Sequence, residues 1–307
     1  MKIECTKILL SHQGSVLVTK YNCILIHTFT GHGYEVVDLV STRDNLNIYS
    51  VADKQIYQWD VSKGEIVRRF NSTTHTQRIT SVAINGDGTL LFTGGADRLV
   101  KVWDLRSKND QPIQVLDDAE DTITGLYISE TRGTVKQGHV HGDSCGHGHK
   151  CDTQGLIEKQ IITSSVDGCI RIYDAKEGTL AIDQEEYPIS SMTLTRDKRC
   201  FLVSSTDSKI RLIDRDSCEI LKEYTGHHNK TYKINTCTNF DDSMILSGSE
   251  DNCLYIWDYL NASILNQLPG HTDTITSVHS HPSKNQFITS SKDGSIRVWS
   301  NPESNQQ

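Results

Sequence analysis

Histidine and aspartate recur in this chain at spacings that would serve proton transfer. Six aspartates each stand six residues before a bulky apolar side chain: Asp53/Trp59, Asp97/Trp103, Asp167/Tyr173, Asp207/Ile213, Asp251/Trp257 and Asp293/Trp299. Upstream of four of them lies a histidine, at His32, His75, His227 and His271. One imidazole beside one carboxylate is a general acid–base pair. Catalysis needs one such site, however, and copies set at regular intervals point to structure instead. A second concentration of reactive groups lies between Gly138 and Asp152, where His139, His141, Cys145, His147, His149 and Cys151 could offer nitrogen and sulfur to a tetrahedral Zn²⁺. Their spacing matches no standard finger, and the surrounding glycines preform no geometry, so low-complexity character is the preferred reading and no metal or other cofactor is assigned. No glycine-rich phosphate loop, nucleophile elbow or kinase signature occurs. A non-enzymatic protein is expected.

The elements that would position these residues repeat as well. Each aspartate sits in a tight turn between two short β-runs, and the second run alternates apolar and polar residues, as in Val100, Lys101 and Val102 or Ile296, Arg297 and Val298. The Trp-type positions are separated by 44, 70, 40, 44 and 42 residues. Four of these five intervals fit the roughly 40–45-residue period of a propeller blade. The class expected is all-β.

In detail the repeat resembles the WD40 family. The resemblance implies a hydrogen-bonded tetrad in each complete blade, built from a His, a Ser/Thr on the second strand, the turn Asp and the Trp on the third. Carried over by position, three blades have all four. The first set is His75, Thr93, Asp97 and Trp103, and the second is His227, Ser247, Asp251 and Trp257. The third is His271, Thr289, Asp293 and Trp299. In a fourth blade, Tyr49 takes the Ser/Thr place beside His32, Asp53 and Trp59. The last two lack the His and have Tyr173 or Ile213 for Trp. Such chains satisfy buried N–H groups that would otherwise lack partners.

A blade of this family runs in chain order as an outer strand, an inner strand, and then the hairpin that carries the aspartate. Seven outer-type runs are expected, near residues 8–11, 24–29, 66–70, 113–116, 180–183, 220–224 and 264–268. Seven inner-type runs follow at 15–21, 35–39, 79–84, 123–128, 189–194, 232–236 and 275–279. Only six hairpins exist, because Asn22 and Cys23 alone stand where a blade has about twenty residues. This predicts a seven-bladed plan with an incomplete first blade, six blades being the alternative. The N-terminal run near Ile8 would complete the last blade and remove its open edge. A single propeller domain would occupy residues 1–300, followed by a short tail at 301–307. The 70-residue interval contains a polar, glycine-rich insert at 130–160.

Composition narrows the setting. With 31 basic against 39 acidic residues, the chain carries a net charge of −8 and lacks a generic basic footprint, so direct nucleic-acid binding is not expected. No run of about 18 apolar residues is present to span a membrane. Glu4, Lys7, His12 and Gln13 interrupt the start, which argues against a secretory signal. Nine cysteines, odd in number and scattered, with Cys169, Cys200, Cys237 and Cys253 in or beside strand-like runs, favour a reducing cytosolic or nuclear compartment.

Several stretches resemble one branch of the WD proteins, the mitogen-activated protein kinase organizer family. They are Thr28–Asp38, Trp59–Phe70, Pro112–Asp121, Leu202–Asp214 and Leu221–Lys233. The last carries an unusual Gly226, His227, Asn229, Tyr232, Lys233 pattern. The resemblance implies an adaptor that scaffolds the extracellular-signal-regulated kinase cascade and accompanies the catalytic spliceosome. Partners would therefore be spliceosomal factors or kinase-cascade components. Rim loops supply the candidate anchors Tyr34, Glu35, Arg78, Asp121, Asn229, Lys230 and Tyr232. The acidic run from Asp117 to Asp121 could receive a basic peptide, or be only a solvated loop. A rival reading rests on Trp103, Asp104, Leu105 and Arg106, which resemble the WDxR signature of substrate receptors for cullin-type ubiquitin ligases. A metal-handling protein built on the His-rich insert is a third.

Overall fold

The structure is a computed structural model that describes residues 4–10, 16–19, 25–70, 75–132, 157–174 and 180–300. The His-rich candidates His139, His141, Cys145, His147, His149 and Cys151, and the tail at 301–307, lie outside the described residues.

Every element among the described residues is a β-strand. Strand β1 (Glu4–Leu10) comes first, and β2 (Val16–Thr19) and β3 (Leu25–Phe29) pair with each other. Five meanders follow, each joined strand to next strand in antiparallel order. They are β4–β7 (Val36–Ser41, Asn47–Ala52, Gln55–Asp60, Glu65–Phe70) and β8–β11 (Ile79–Ile84, Leu90–Gly95, Val100–Asp104, Gln114–Leu116). Next come β12–β15 (Ile123–Arg132, Ile157–Ser165, Cys169–Asp174, Leu180–Gln184) and β16–β19 (Ile189–Leu194, Cys200–Ser205, Lys209–Asp214, Ile220–Tyr224). The fifth is β20–β23 (Thr236–Thr238, Met244–Ser247, Cys253–Asp258, Ile264–Pro269). The last sheet has three consecutive strands, β24–β26 (Ile275–Ser280, Gln286–Ser291, Ser295–Ser300), and takes β1 as its fourth, with Ile8 opposite Arg297 and Leu10 opposite Ser295. Without β1 the outer backbone of β26 would be an unpaired edge.

Full four-stranded blades therefore number six, the alternative count, and β2 and β3 form a two-stranded sheet in the place of the incomplete first blade. With only a two-residue connection between their runs, β2 and β3 have no middle strands to sit between, so they pair directly. Packing shows which seat β3 holds. Phe29 is buried at 5.4 Å, edge to face, from Trp59. Phe70 at the end of β7 meets Trp103 in the same way at 5.8 Å, and Tyr224 at the end of β19 meets Trp257 at 6.5 Å. An outer strand of one sheet thus packs on the Trp of the next, and β3 does so for the first full blade.

The core lies between blades, because a twisted sheet with two apolar faces must bury both. Val51, Ile56 and Phe70 of one blade interlock with Ile79, Leu91 and Trp103 of the next. Leu246, Leu254 and Ile256 meet Ile275, Phe287 and Trp299 in the same manner. Cys169, Cys200, Cys218, Cys237 and Cys253 are free thiols.

One strand differs from expectation. The inner run placed at 232–236 forms a strand only over Thr236–Thr238. The amides of Lys230, Thr231 and Tyr232 are instead held by the Glu250 carboxylate at 2.8, 2.6 and 3.1 Å, which takes them out of any sheet ladder.

Candidate interaction face

The loops that enter each inner strand and the hairpins bearing the turn aspartates share one end of the ring. In five hairpins the residue after the aspartate has a left-handed backbone: Arg98, Gly168, Ser208, Asn252 and Gly294. There the aspartate caps its own turn, accepting the amide two residues on, as in Cys169 N to Asp167 (2.9 Å) and Ser295 N to Asp293 (2.8 Å). Its second oxygen commonly reaches the neighbouring entry loop, taking the amides of Thr76 (2.9 Å), Glu120 (2.9 Å) and Thr272 (3.0 Å).

Two expected tetrads are complete. His75 Nδ1 lies 2.8 Å from Asp97 Oδ1 and its Nε2 lies 2.9 Å from Thr93 Oγ1, which also accepts from Trp103 Nε1 at 3.0 Å. In the last blade Thr289 plays the same part. Thr289 Oγ1 lies 2.8 Å from His271 Nε2 and accepts from Trp299 Nε1 at 2.9 Å, while His271 Nδ1 lies 2.9 Å from Asp293 Oδ2. Thr93 and Thr289 have no exposed surface at all, so they brace the ring from within and take no part in contacts with a partner. Burial pushes Asp97 up, but the hydrogen bonds from His75 and the Thr76 amide hold its carboxyl below the ordinary range. Burial lowers His271, with Asp293 opposing it.

The third tetrad is not formed. Trp257 Nε1 donates to the Thr225 carbonyl at 2.9 Å, and Ser247 donates to the Gly248 carbonyl at 2.9 Å. Asp251 accepts from the Tyr255 hydroxyl at 2.7 Å, leaving both ring nitrogens of buried His227 without partners. Tyr255 is the cause. Four residues past the aspartate it competes for that carboxylate, and Ser249 and Glu250 take over the anchoring of the entry loop. Burial drives His227 down to about 4 despite the nearby carboxylates.

In the β4–β7 blade the hydroxyl belongs to Ser50, not to the Tyr49 position. Ser50 Oγ contacts His32 Nε2 at 2.8 Å and accepts from Trp59 Nε1 at 2.8 Å. The hairpin there is one residue tighter, since Ala52 pairs with Gln55 and Asp53 itself takes the left-handed position. The frame slips by one, and His32 Nδ1 is left unpartnered.

The two blades without histidine use an arginine that sequence reasoning passed over. Arg171 donates to Ser165 Oγ at 2.7 Å and Asp167 Oδ2 at 2.8 Å; Arg211 donates to Ser205 and, at 2.6 Å, to Asp207 Oδ2. A Ser two residues before the aspartate and an Arg four after it, with no histidine upstream, are the legible signal; the last blade has Ser291 and Arg297 at those places, but there His271 holds Asp293.

On the rim above these relays, Tyr34 is 61% exposed and Tyr232 38%. Glu35 Oε2 meets Arg78 Nη2 at 3.2 Å across adjacent blades. Asp121 and Lys230 are exposed. Asn229 is not a surface anchor: it is fully buried and donates to Ser190 Oγ at 3.0 Å, because its amide group bridges two blades. Three rim residues were missed. Tyr187 is 40% exposed with the Arg211 guanidinium 5.7 Å from its ring, Lys292 Nζ lies 3.9 Å from the Tyr232 ring centre, and Lys233 reaches inward. Arg106, the residue of the ligase reading, forks back onto Asp104 at 3.1 and 3.3 Å in the open. Among the described residues no group of three or more His, Cys, Asp or Glu is placed to hold a metal ion.

Six meander blades, an N-terminal strand that completes the last one, and buried His–Thr–Trp relays define the class: this is a WD-repeat β-propeller. The WD domain, G-beta repeat profile matches residues 262–300, and that of the Nucleolar protein 10-like, N-terminal domain matches 35–257. The chain is 50% identical over 325 aligned positions to WD repeat domain-containing protein 83 homolog of Dictyostelium discoideum, covering 99% of this chain and 100% of that one. It is 33% identical over 275 positions to WD repeat domain-containing protein 83 of Rattus norvegicus and of Homo sapiens, covering 90% of this chain and 78% of each relative. The chain belongs to the WD repeat domain-containing protein 83 family.

Proposed function

We propose that this chain is a non-enzymatic scaffold that assembles protein complexes in pre-mRNA splicing, in mitogen-activated protein kinase cascades, or in both. WD-repeat propellers mediate protein–protein contacts, and the observation that supports the role here is the rim itself. Tyr34, Tyr187 and Tyr232 stand exposed among charged side chains on loops that buried relays hold rigid. Aromatic residues on a preorganised frame make good interface anchors, since little entropy is lost on binding. Residence in cytoplasm and nucleus is part of the same proposal.

Affinity purification of the tagged protein from its own cells, with nuclease treatment and mass spectrometry, tests it. Splicing factors that survive nuclease establish a protein-mediated spliceosomal role, and kinase-cascade members without them favour the signalling role. Recovery of a cullin adaptor in place of both, abolished by Arg106→Ala, overturns the proposal.

A further inference from the structure

One residue in each full blade stands directly before an apolar residue at the entry to the inner run (Val36, Ile79, Ile123, Ile189, Ile234 or Ile275) and so rings the mouth of the central channel. In chain order these are Glu35, Arg78, Thr122, Pro188, Lys233 and Thr274. Three are neutral, and Glu35 and Arg78 face each other at 3.2 Å. Lys233 stands apart. Its side chain crosses the channel, and Nζ donates to the Thr80 carbonyl of the β8–β11 blade at 2.9 Å. Among the described residues it ion-pairs with no carboxylate. Asp38, the nearest acid to influence it, is committed to the amides of Leu39 (2.9 Å) and Val82 (3.0 Å). A cation set this deep with only a carbonyl for company lacks the counter-charge that such groups ordinarily have.

We propose that the channel mouth receives an acidic side chain, an aspartate or glutamate of an extended partner segment, between Lys233 and Arg78. Glu35 already shows that a carboxylate fits beside Arg78. Its exposed pair with Arg78 contributes little in water, so an incoming acid displaces it readily. Tyr34 and Tyr232, the latter under Lys292, offer aromatic faces to the segment on either side of the mouth. Burial lowers Lys233, Asp38 opposes that in part, and Arg78 lowers it again, a net deficit that an anion between Lys233 and Arg78 would relieve. A polyanion is disfavoured, because Asp117, Asp118, Glu120, Asp121 and Glu186 line the same end of the ring on neighbouring entry loops. A peptide with an isolated acid avoids them.

The inference rests on the rim being the binding face, and the experiment separates the two. A random decapeptide phage library is selected on the immobilised full chain, and the selected peptides are measured by fluorescence anisotropy. Peptides enriched in Asp or Glu are expected. Affinity should fall roughly tenfold in Lys233→Met and in Arg78→Ala, and rise in Glu35→Gln, which removes the internal competitor. Melting curves for each variant separate misfolding from lost binding, and the gain in Glu35→Gln cannot come from a damaged fold. Peptides that depend on Tyr34 and Tyr232 but show no acid preference, or bind Lys233→Met unchanged, overturn the acidic-segment inference and leave the rim as the binding face. Selected peptides indifferent to every rim substitution, or no selected peptide at all, overturn both. Tighter binding of oligouridylate, lost in the same variants, would assign the mouth to RNA instead.

Discussion

A tetrad written in the residues is not always a tetrad made in the fold. Thr93 serves two buried groups at once, His75 and the Trp103 indole, so its loss leaves both short of a partner. Thr289 holds the same double role between His271 and Trp299. Thr93→Ala and Thr289→Ala are therefore each expected to cost about 2–4 kcal/mol in urea unfolding, from two unmet buried groups. Ser247 occupies the same frame position but bonds only to the Gly248 carbonyl, and Ser247→Ala should cost less than about 1 kcal/mol. Equal losses would mean the third tetrad does close. His227 makes a separate prediction. Its pKa in the folded chain lies near 4, against 6.5 when exposed, so between those values the unfolded chain binds the extra proton. Stability should be unaffected by this group above pH 6.5 and decline as pH falls toward 4, by up to roughly 3 kcal/mol. Chemical denaturation across that window should show a flatter profile for His227→Phe than for the parent. A His227 resonance that titrates near its ordinary value would sink this account.

At the scale of strands and turns, much was legible, because alternation and the Asp-to-Trp spacing report directly on the pleat. The inner runs at 79–84 and 189–194 coincide with β8 and β16. What stayed hidden depended on partners remote in sequence. Glu250 holds the amides of Lys230, Thr231 and Tyr232, the last of which opens the expected run, and β20 starts four residues later than its apolar pattern indicates. Asp53 and Asp97 look alike when counted to their tryptophans, yet one turn is a residue tighter, and only strand pairing reveals that Ser50 rather than Tyr49 carries the hydroxyl. Arg171 and Arg211 were visible as polar residues in alternating strands. Their role required knowing that a long side chain four residues beyond the turn folds back to its aspartate, supplying in two blades the donor that histidine supplies elsewhere. The rim was least legible, since exposure depends on how loops are fastened. Asn229 has the composition of a surface residue and is clamped between blades.

At the scale of the whole ring, the open question is how six full blades and one two-stranded sheet share a circle. The relative from Dictyostelium discoideum aligns over 325 positions, more than the 307 residues of this chain, so that protein carries residues for which this one has none. If β2 and β3 were an appendage, Phe29 would be dispensable. If β3 holds the outer place of a seventh seat, Phe29 is to Trp59 what Phe70 is to Trp103, and its ring closes the apolar layer with Ile48, Ala52 and Tyr57. Truncating a fully buried phenylalanine costs about 3–5 kcal/mol. Phe29→Ala should thus destabilise the ring as much as Phe70→Ala, read from urea midpoints at constant slope, and the Trp59 fluorescence should shift to the red as water reaches the indole. A cost under about 1 kcal/mol, with Phe70→Ala still severe, would mean that β3 merely rests on the first full blade. Comparable losses would place β2 and β3 within the cooperative unit, where a sheet of two strands keeps an otherwise exposed blade face out of water.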